Sequence, residues 1–116
     1  MHNSVAIAFR GIPPSSALER YIGEEARKLE AICDRIRSCQ VLAESLRSEK
    51  RQGAQVSVRL VITLPGTEVV VNREHGDDVY MAVRDAFAAA GVQLRDHMRR
   101  GNREHRPRDS EPESGG

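Results

Sequence analysis

The sequence predicts an α+β fold: a β-α-β-β-β-α two-layer sandwich, with a four-stranded sheet and two helices on one face. Three observations lead there. Two long stretches carry apolar residues at helical spacing, four short stretches alternate apolar with polar, and Pro65-Gly66 reads as a hairpin turn between two of the latter. Two helices with one apolar stripe each need a shared surface, and a sheet with one apolar face supplies it. The other sheet face is then expected to be exposed and polar.

Each element has a local reason. Val5, Ile7 and Phe9 alternate with Ala6, Ala8 and Arg10 as a short strand, which Gly11-Ile12-Pro13-Pro14 ends. Ser16 with Glu19 three residues on reads as a capping box. Leu18, Ile22, Ala26, Leu29, Ile32/Cys33 and Ile36 then form a stripe about twenty residues long. Ser38 to Ser45 alternates Cys39, Val41 and Ala43 against Gln40, Leu42 and Glu44 as a second strand, and Leu46 to Ala54 is a polar loop. Gln55 to Leu64 is the clearest strand, with Val56, Val58, Leu60 and Ile62 on one face. Pro65-Gly66 suits a type II turn, and Glu68 to Asn72 returns as the fourth strand. From Gly76 to Arg103 runs the stretch that organises the chain. Asp77 is placed to cap it, and Val79, Val83, Ala86/Phe87, Ala90, Leu94 and Met98 form its apolar seam. Gly91 weakens its middle by about 1 kcal/mol relative to Ala. The domain is expected over residues 1–100, with a disordered tail over 101–116, where Gly, Pro and Glu accumulate.

Composition narrows the function. A chain of 116 residues suits one domain with a modest core. Its four aromatics (Phe9, Tyr21, Tyr80, Phe87) are too few for the usual platform that stacks unpaired bases. Net charge is only +1, yet residues 95–108 hold six Arg against Asp96 and Glu104. Sixteen of the 18 basic residues are Arg, whose planar fork suits phosphate. Cations at a helix C-terminus also stabilise any helix, so this cluster alone does not identify a site. No signal peptide or membrane-spanning run is expected, and Cys33 and Cys39 read as reduced thiols of a cytoplasmic protein. The scattered His and Cys lack metal-ligand spacing, and Asp77-Asp78 is explained by capping, so neither a metal nor another cofactor is expected. Tyr80 reads as a packing residue with its hydroxyl at the rim, ahead of an RNA contact.

Specific residues carry a resemblance. They are Phe9-Arg10-Gly11-Ile12, Lys28-Leu29-Glu30, Asp34-Arg35-Ile36, Pro65-Gly66-Thr67-Glu68, Asp77-Asp78-Val79-Tyr80-Met81-Ala82-Val83 and Gln93-Leu94. In this order and spacing, over about residues 4–100, they resemble the ribosome hibernation-promoting factor and ribosome-associated inhibitor A family, the sigma-54 modulation proteins. The expected form is short, without a dimerising or cold-shock domain behind it. The resemblance implies a fold similar to the double-stranded RNA-binding domain. It also implies binding of small-subunit ribosomal RNA in the channel for messenger and transfer RNA, which blocks translation in idle ribosomes. Carried over onto this chain, the RNA-binding candidates are Arg20, Arg27, Lys28, Arg84, Arg95, Arg99 and Arg100. A dimerising partner factor is left open. The chain departs from the family where Gly91-Val92 stand before Gln93-Leu94, at a place usually held by Arg or Lys.

Two rival readings stand beside this one. A non-enzymatic interaction module of the same fold, having lost ribosome binding, would use its open sheet face or an edge strand. A small enzyme has the least support, because no acid, base and nucleophile converge by spacing.

Overall fold

The structure, a computed structural model, describes residues 4–46 and 55–104. Its elements are β1 (Ser4–Arg10), α1 (Ser16–Ile32), β2 (Ser38–Leu46), β3 (Gln55–Leu64), β4 (Thr67–His75) and α2 (Val79–Glu104). One sheet has the order β1-β2-β3-β4, with β1 parallel to β2 and the other pairs antiparallel. The α+β order expected from the sequence is the one observed.

Register explains how the sheet separates its faces. Ile7, Val41, Leu60 and Val71 lie opposite one another across all four strands, and one residue along, Ala6, Gln40, Val61 and Val70 do the same. In the first row Val41, Leu60 and Val71 are buried and Ile7 is half-buried; in the second, Ala6, Gln40 and Val70 are exposed. A slip of one residue would exchange the rows, so burial of one face holds the register. Leu18, Ile22, Ala26 and Leu29 of α1 and Ala82, Val83, Ala86, Phe87, Ala90 and Leu94 of α2 complete the core. The open face is less polar than expected. Ala6, Ala8, Leu42 and Val61, with Arg10 and Arg59, line a shallow hollow of about 360 Å³ there, and Arg10 pairs with Glu44 at 3.6 Å.

Several boundaries differ from the sequence reading. Ser15, not Ser16, caps α1: its hydroxyl accepts from the Leu18 N–H at 3.1 Å, and Glu19 stays in the first turn. The helix stops at Ile32 with Cys33 as its C-cap, so Ile36 reaches the core from the connection that follows. Asp78, not Asp77, caps α2 by accepting from the Met81 N–H at 3.1 Å. β4 continues through Arg73, Glu74 and His75 because β3 supplies paired partners for all three. Gly66 has φ +78, the left-handed value that the third position of a type II turn requires. At the other end α2 runs through Gly101 to Glu104, so its last turn occupies positions assigned to the tail. Residues 105–116 and most of the polar loop, 47–54, lie outside the described residues. Among the described residues, no helix is long and apolar enough to cross a membrane.

Gly91 is buried where α2 meets α1. A methyl group built on it would lie 3.6 Å from both Ile32 Cδ1 and Arg95 Nη1, and 3.9 Å from Leu29 Cδ2. These are ordinary contact distances, and the residue is helical. Gly91→Ala is therefore expected to raise stability by about 1 kcal/mol and the melting temperature by roughly 4–8 °C. A lowered melting temperature would show that the helices cannot admit the methyl.

Both cysteines are free and buried. Burial, reinforced by the charge of Glu30, pushes the Cys39 thiol up from 9.0 to about 11. The folded chain thus keeps this proton more tightly than the unfolded chain. The contribution is complete below pH 9, and stability falls as the pH climbs through 9 toward 11, by about 2–3 kcal/mol from this group. Urea titrations of wild type and Cys39→Ala across that range measure the difference. Equal pH slopes for the two proteins would count against it.

A candidate nucleic-acid interface on the helical face

The helices lie side by side and run in the same direction. Tyr21 meets Tyr80 near their starts, with ring centroids 5.4 Å apart; Leu29 and Ile32 face Gly91 midway. Toward the far ends, a methyl on Gly101 would sit 3.8 Å from Arg35 Nη1. Parallel travel follows from the topology: each helix comes down after a strand that goes up.

This packing sorts the seven candidate cations. Arg84 and Arg95 stand eleven residues apart, about three helical turns, and so share one side of α2. Arg95 reaches the Gly91 site that also faces Ile32, and Arg84 stands one turn after Tyr80, whose ring meets Tyr21 across the seam. Both therefore lean over the seam between the helices. Lys28 joins them from α1, where it stands two turns after Tyr21 on the same side of the helix. Arg20 and Arg27, two turns apart, are exposed on α1. There they flank Glu24 on a side turned away from the core, and no hydrogen bond or ion pair among the described residues ties them to the seam. Arg100 turns to the opposite flank of α2, where it lines a hollow of about 230 Å³ with Thr67, Glu68, Gln93, Asp96 and His97. The seven do not merge into one continuous strip.

Ion pairing divides them further. Lys28 Nζ lies 2.9 Å from Glu25 Oε2, and that hydrogen bond holds the ammonium above its usual range. Arg99 and Arg100 share Asp96 at 3.6 and 3.3 Å. Among the described residues, Arg20, Arg27, Arg84 and Arg95 have no carboxylate partner; Arg84 Nη1 rests 3.8 Å from the Met81 thioether. Exposed pairs are worth little. Glu25, Asp96 and Asp85, the neighbour of Arg84, thus offset part of the positive charge, and among the described residues Arg84 and Arg95 are the seam cations without a direct carboxylate contact.

Sequence spacing missed two parts of this surface. Arg35, in the connection after α1, is brought beside the last turns of α2. Tyr21 and Tyr80, far apart in the chain, become one aromatic pair. Burial is the first cause that raises the Tyr21 hydroxyl, with Glu25 adding to it, while Lys28 and Arg84 pull the other way. Within each helix the signal existed, since Arg84 follows Tyr80 by one turn. The offset of one helix along the other has no local signature. Among the described residues, no three His, Cys, Asp or Glu side chains gather as metal ligands do.

The class of protein is defined by this arrangement: a two-layer α+β domain with a mixed sheet, whose candidate cations stand on its two helices. The chain belongs to the Sigma 54 modulation protein / S30EA ribosomal protein family, whose model matches residues 5–102. It is thus a member of a non-enzymatic, ribosome-associated modulation family, the one its motifs resemble. Solved structures share the fold. A ribosomal subunit interface protein from Coxiella burnetii aligns with a TM-score of 0.69 at 18% identity, covering 82% of this chain and 97% of that one. The Thermus thermophilus Protein Y N-terminal domain aligns with a TM-score of 0.64 at 18% identity, covering 83% of this chain and 99% of that one. No curated protein sequence matches the chain.

Proposed function

We propose that this protein is a cytoplasmic translation regulator. It binds the small ribosomal subunit with its helical face toward ribosomal RNA, and occludes the channel for messenger and transfer RNA in idle ribosomes, as in stress-induced hibernation. The carrying observation is the alignment of Arg84 and Arg95 along the seam, neither with a carboxylate partner among the described residues, in a chain of this family. Two guanidinium groups about three turns apart, roughly 16 Å along the helix axis, suit two separate, non-adjacent phosphates of a folded RNA, which is recognised by shape, phosphate and 2′-OH. Lys28 and Arg35 lengthen the surface, Arg99 extends it past Asp96, Arg100 adds charge on the far flank of α2, and Arg20 and Arg27 form a second contact zone on α1.

Co-sedimentation with purified small subunits over a salt series tests this. Binding should fall steeply with salt, because each neutralised phosphate contributes about −0.9 to the log–log slope for duplex DNA and a similar order for RNA. A messenger fragment that fills the channel should displace the protein. Binding that ignores both salt and messenger would sink the proposal.

One observation favours the interaction-module reading instead. The open sheet face carries Leu42 and Val61 half-buried and Val70 38% exposed, more apolar surface than a solvated face needs. Under that reading the chain stays out of the ribosomal pellet even at low salt.

A further inference from the structure

The few aromatic side chains are not placed alike. Phe87 is buried and Phe9 half-buried, but Tyr80 is 43% exposed on the surface that carries Arg84 and Lys28. Among the described residues its ring meets only one other, that of Tyr21, at 5.4 Å and an interplanar angle of 44°. A tilt of that size is a leaning contact rather than a face-to-face stack, so Tyr21 braces the ring without covering it. The backbone beneath is fixed too, because Asp78 caps the turn that bears Tyr80. A ring already held in place loses little freedom on binding. Arg84, one turn further along, sets a cation beside it that has no carboxylate partner among the described residues.

We propose that Tyr80, braced by Tyr21, stacks on one unpaired base of the bound RNA while Arg84 holds a flanking phosphate. This rests on the ribosomal RNA reading above and sharpens it. Cations alone would grip paired RNA by its backbone. An exposed ring adds a preference for a place where a base is free of its stack, since every base offers a π-face. The small aromatic content argued against such a platform, but one base needs only one well-placed ring.

The full chain is titrated against two labelled RNAs of equal stem length, about 16 base pairs: a blunt duplex, and a hairpin closed by a loop of unpaired adenines. Besides anisotropy of the label, the protein's own emission is read. The chain has no Trp and two Tyr, so that emission comes from the Tyr21–Tyr80 pair. The hairpin should quench it and bind about fivefold or more tighter than the duplex. Tyr80→Leu should close that gap, and Tyr80→Phe should keep it, with the salt slope the same in all three. Circular dichroism and melting of Tyr80→Leu establish that it is folded, and Tyr80→Phe retains the ring in either case.

Equal affinity of wild type for the two RNAs overturns the proposal. So does a Tyr80→Phe protein that behaves like Tyr80→Leu, or a wild type that binds neither probe. If these outcomes appear while Arg84→Glu/Arg95→Glu still abolishes small-subunit binding, only the stacked base is lost. If the double Arg variant binds subunits normally, the ribosomal reading falls as well.

Discussion

Replacing Arg84 and Arg95 together by Glu should weaken binding to the small ribosomal subunit by about a hundredfold or more at low salt. Each guanidinium that bonds a phosphate contributes about 1.5–3 kcal/mol as a charge-assisted interaction, and reversal adds repulsion. The salt dependence should become shallower by roughly one per lost phosphate contact, hence by about two. Both side chains are exposed and neither holds the core, so the melting temperature should stay near that of wild type. Reversing Arg99 and Arg100 should cost less, because Asp96 already offsets part of their charge. Filter binding or sedimentation with purified subunits provides the comparison. Unchanged affinity in the Arg84/Arg95 variant would be the most damaging result for the proposed function, since the seam cations with no ion pair among the described residues stand there.

The largest effect on stability is expected at Leu60. It is fully buried in β3, between Val41 of β2 and Val71 of β4, so both neighbouring strands enclose it. Leu60→Ala removes buried methyl and methylene groups and leaves a cavity that paired strands cannot easily close, at a cost of about 2–5 kcal/mol. Against a total of roughly 5–15 kcal/mol for a small domain, that is a large share. The urea midpoint should fall with little change in slope. Val70→Ala, one strand over on the open face and 38% exposed, serves as the control and should cost under about 1 kcal/mol. Equal midpoint losses in the two variants would mean that the sheet does not divide into a core face and an open face.

Alternation and helical spacing made this division legible before any coordinates. Val56, Val58, Leu60 and Ile62 lie on the side that is buried, as their period of two requires, and Gly66 takes the conformation that Pro65-Gly66 announced. Caps were less legible. Asp77 and Asp78 are equally good acceptors, and so are Ser15 and Ser16. Which one caps depends on where the first apolar side chain must enter the core, a tertiary matter that shifted both helix starts by one residue. Similarly, Arg73, Glu74 and His75 have no strand pattern of their own; the length of β3 beside them extended β4.

The sequence by itself determined the element order, the core stripe of each helix, the polar-cationic character of the helical surface and the family. The first three follow from residue types and from spacings within one segment; the family rests on the order of short motifs along nearly the whole chain. Only the tertiary structure decided which cations act together. It set Arg84 and Arg95 over the seam, turned Arg100 to the far flank, brought Arg35 to the end of α2, and joined Tyr21 to Tyr80. The physical reason is that local periodicity states which side of a helix is apolar. How far one helix slides along its neighbour is settled by the packing of Leu29 and Ile32 against Gly91, a contact between segments that no single segment encodes.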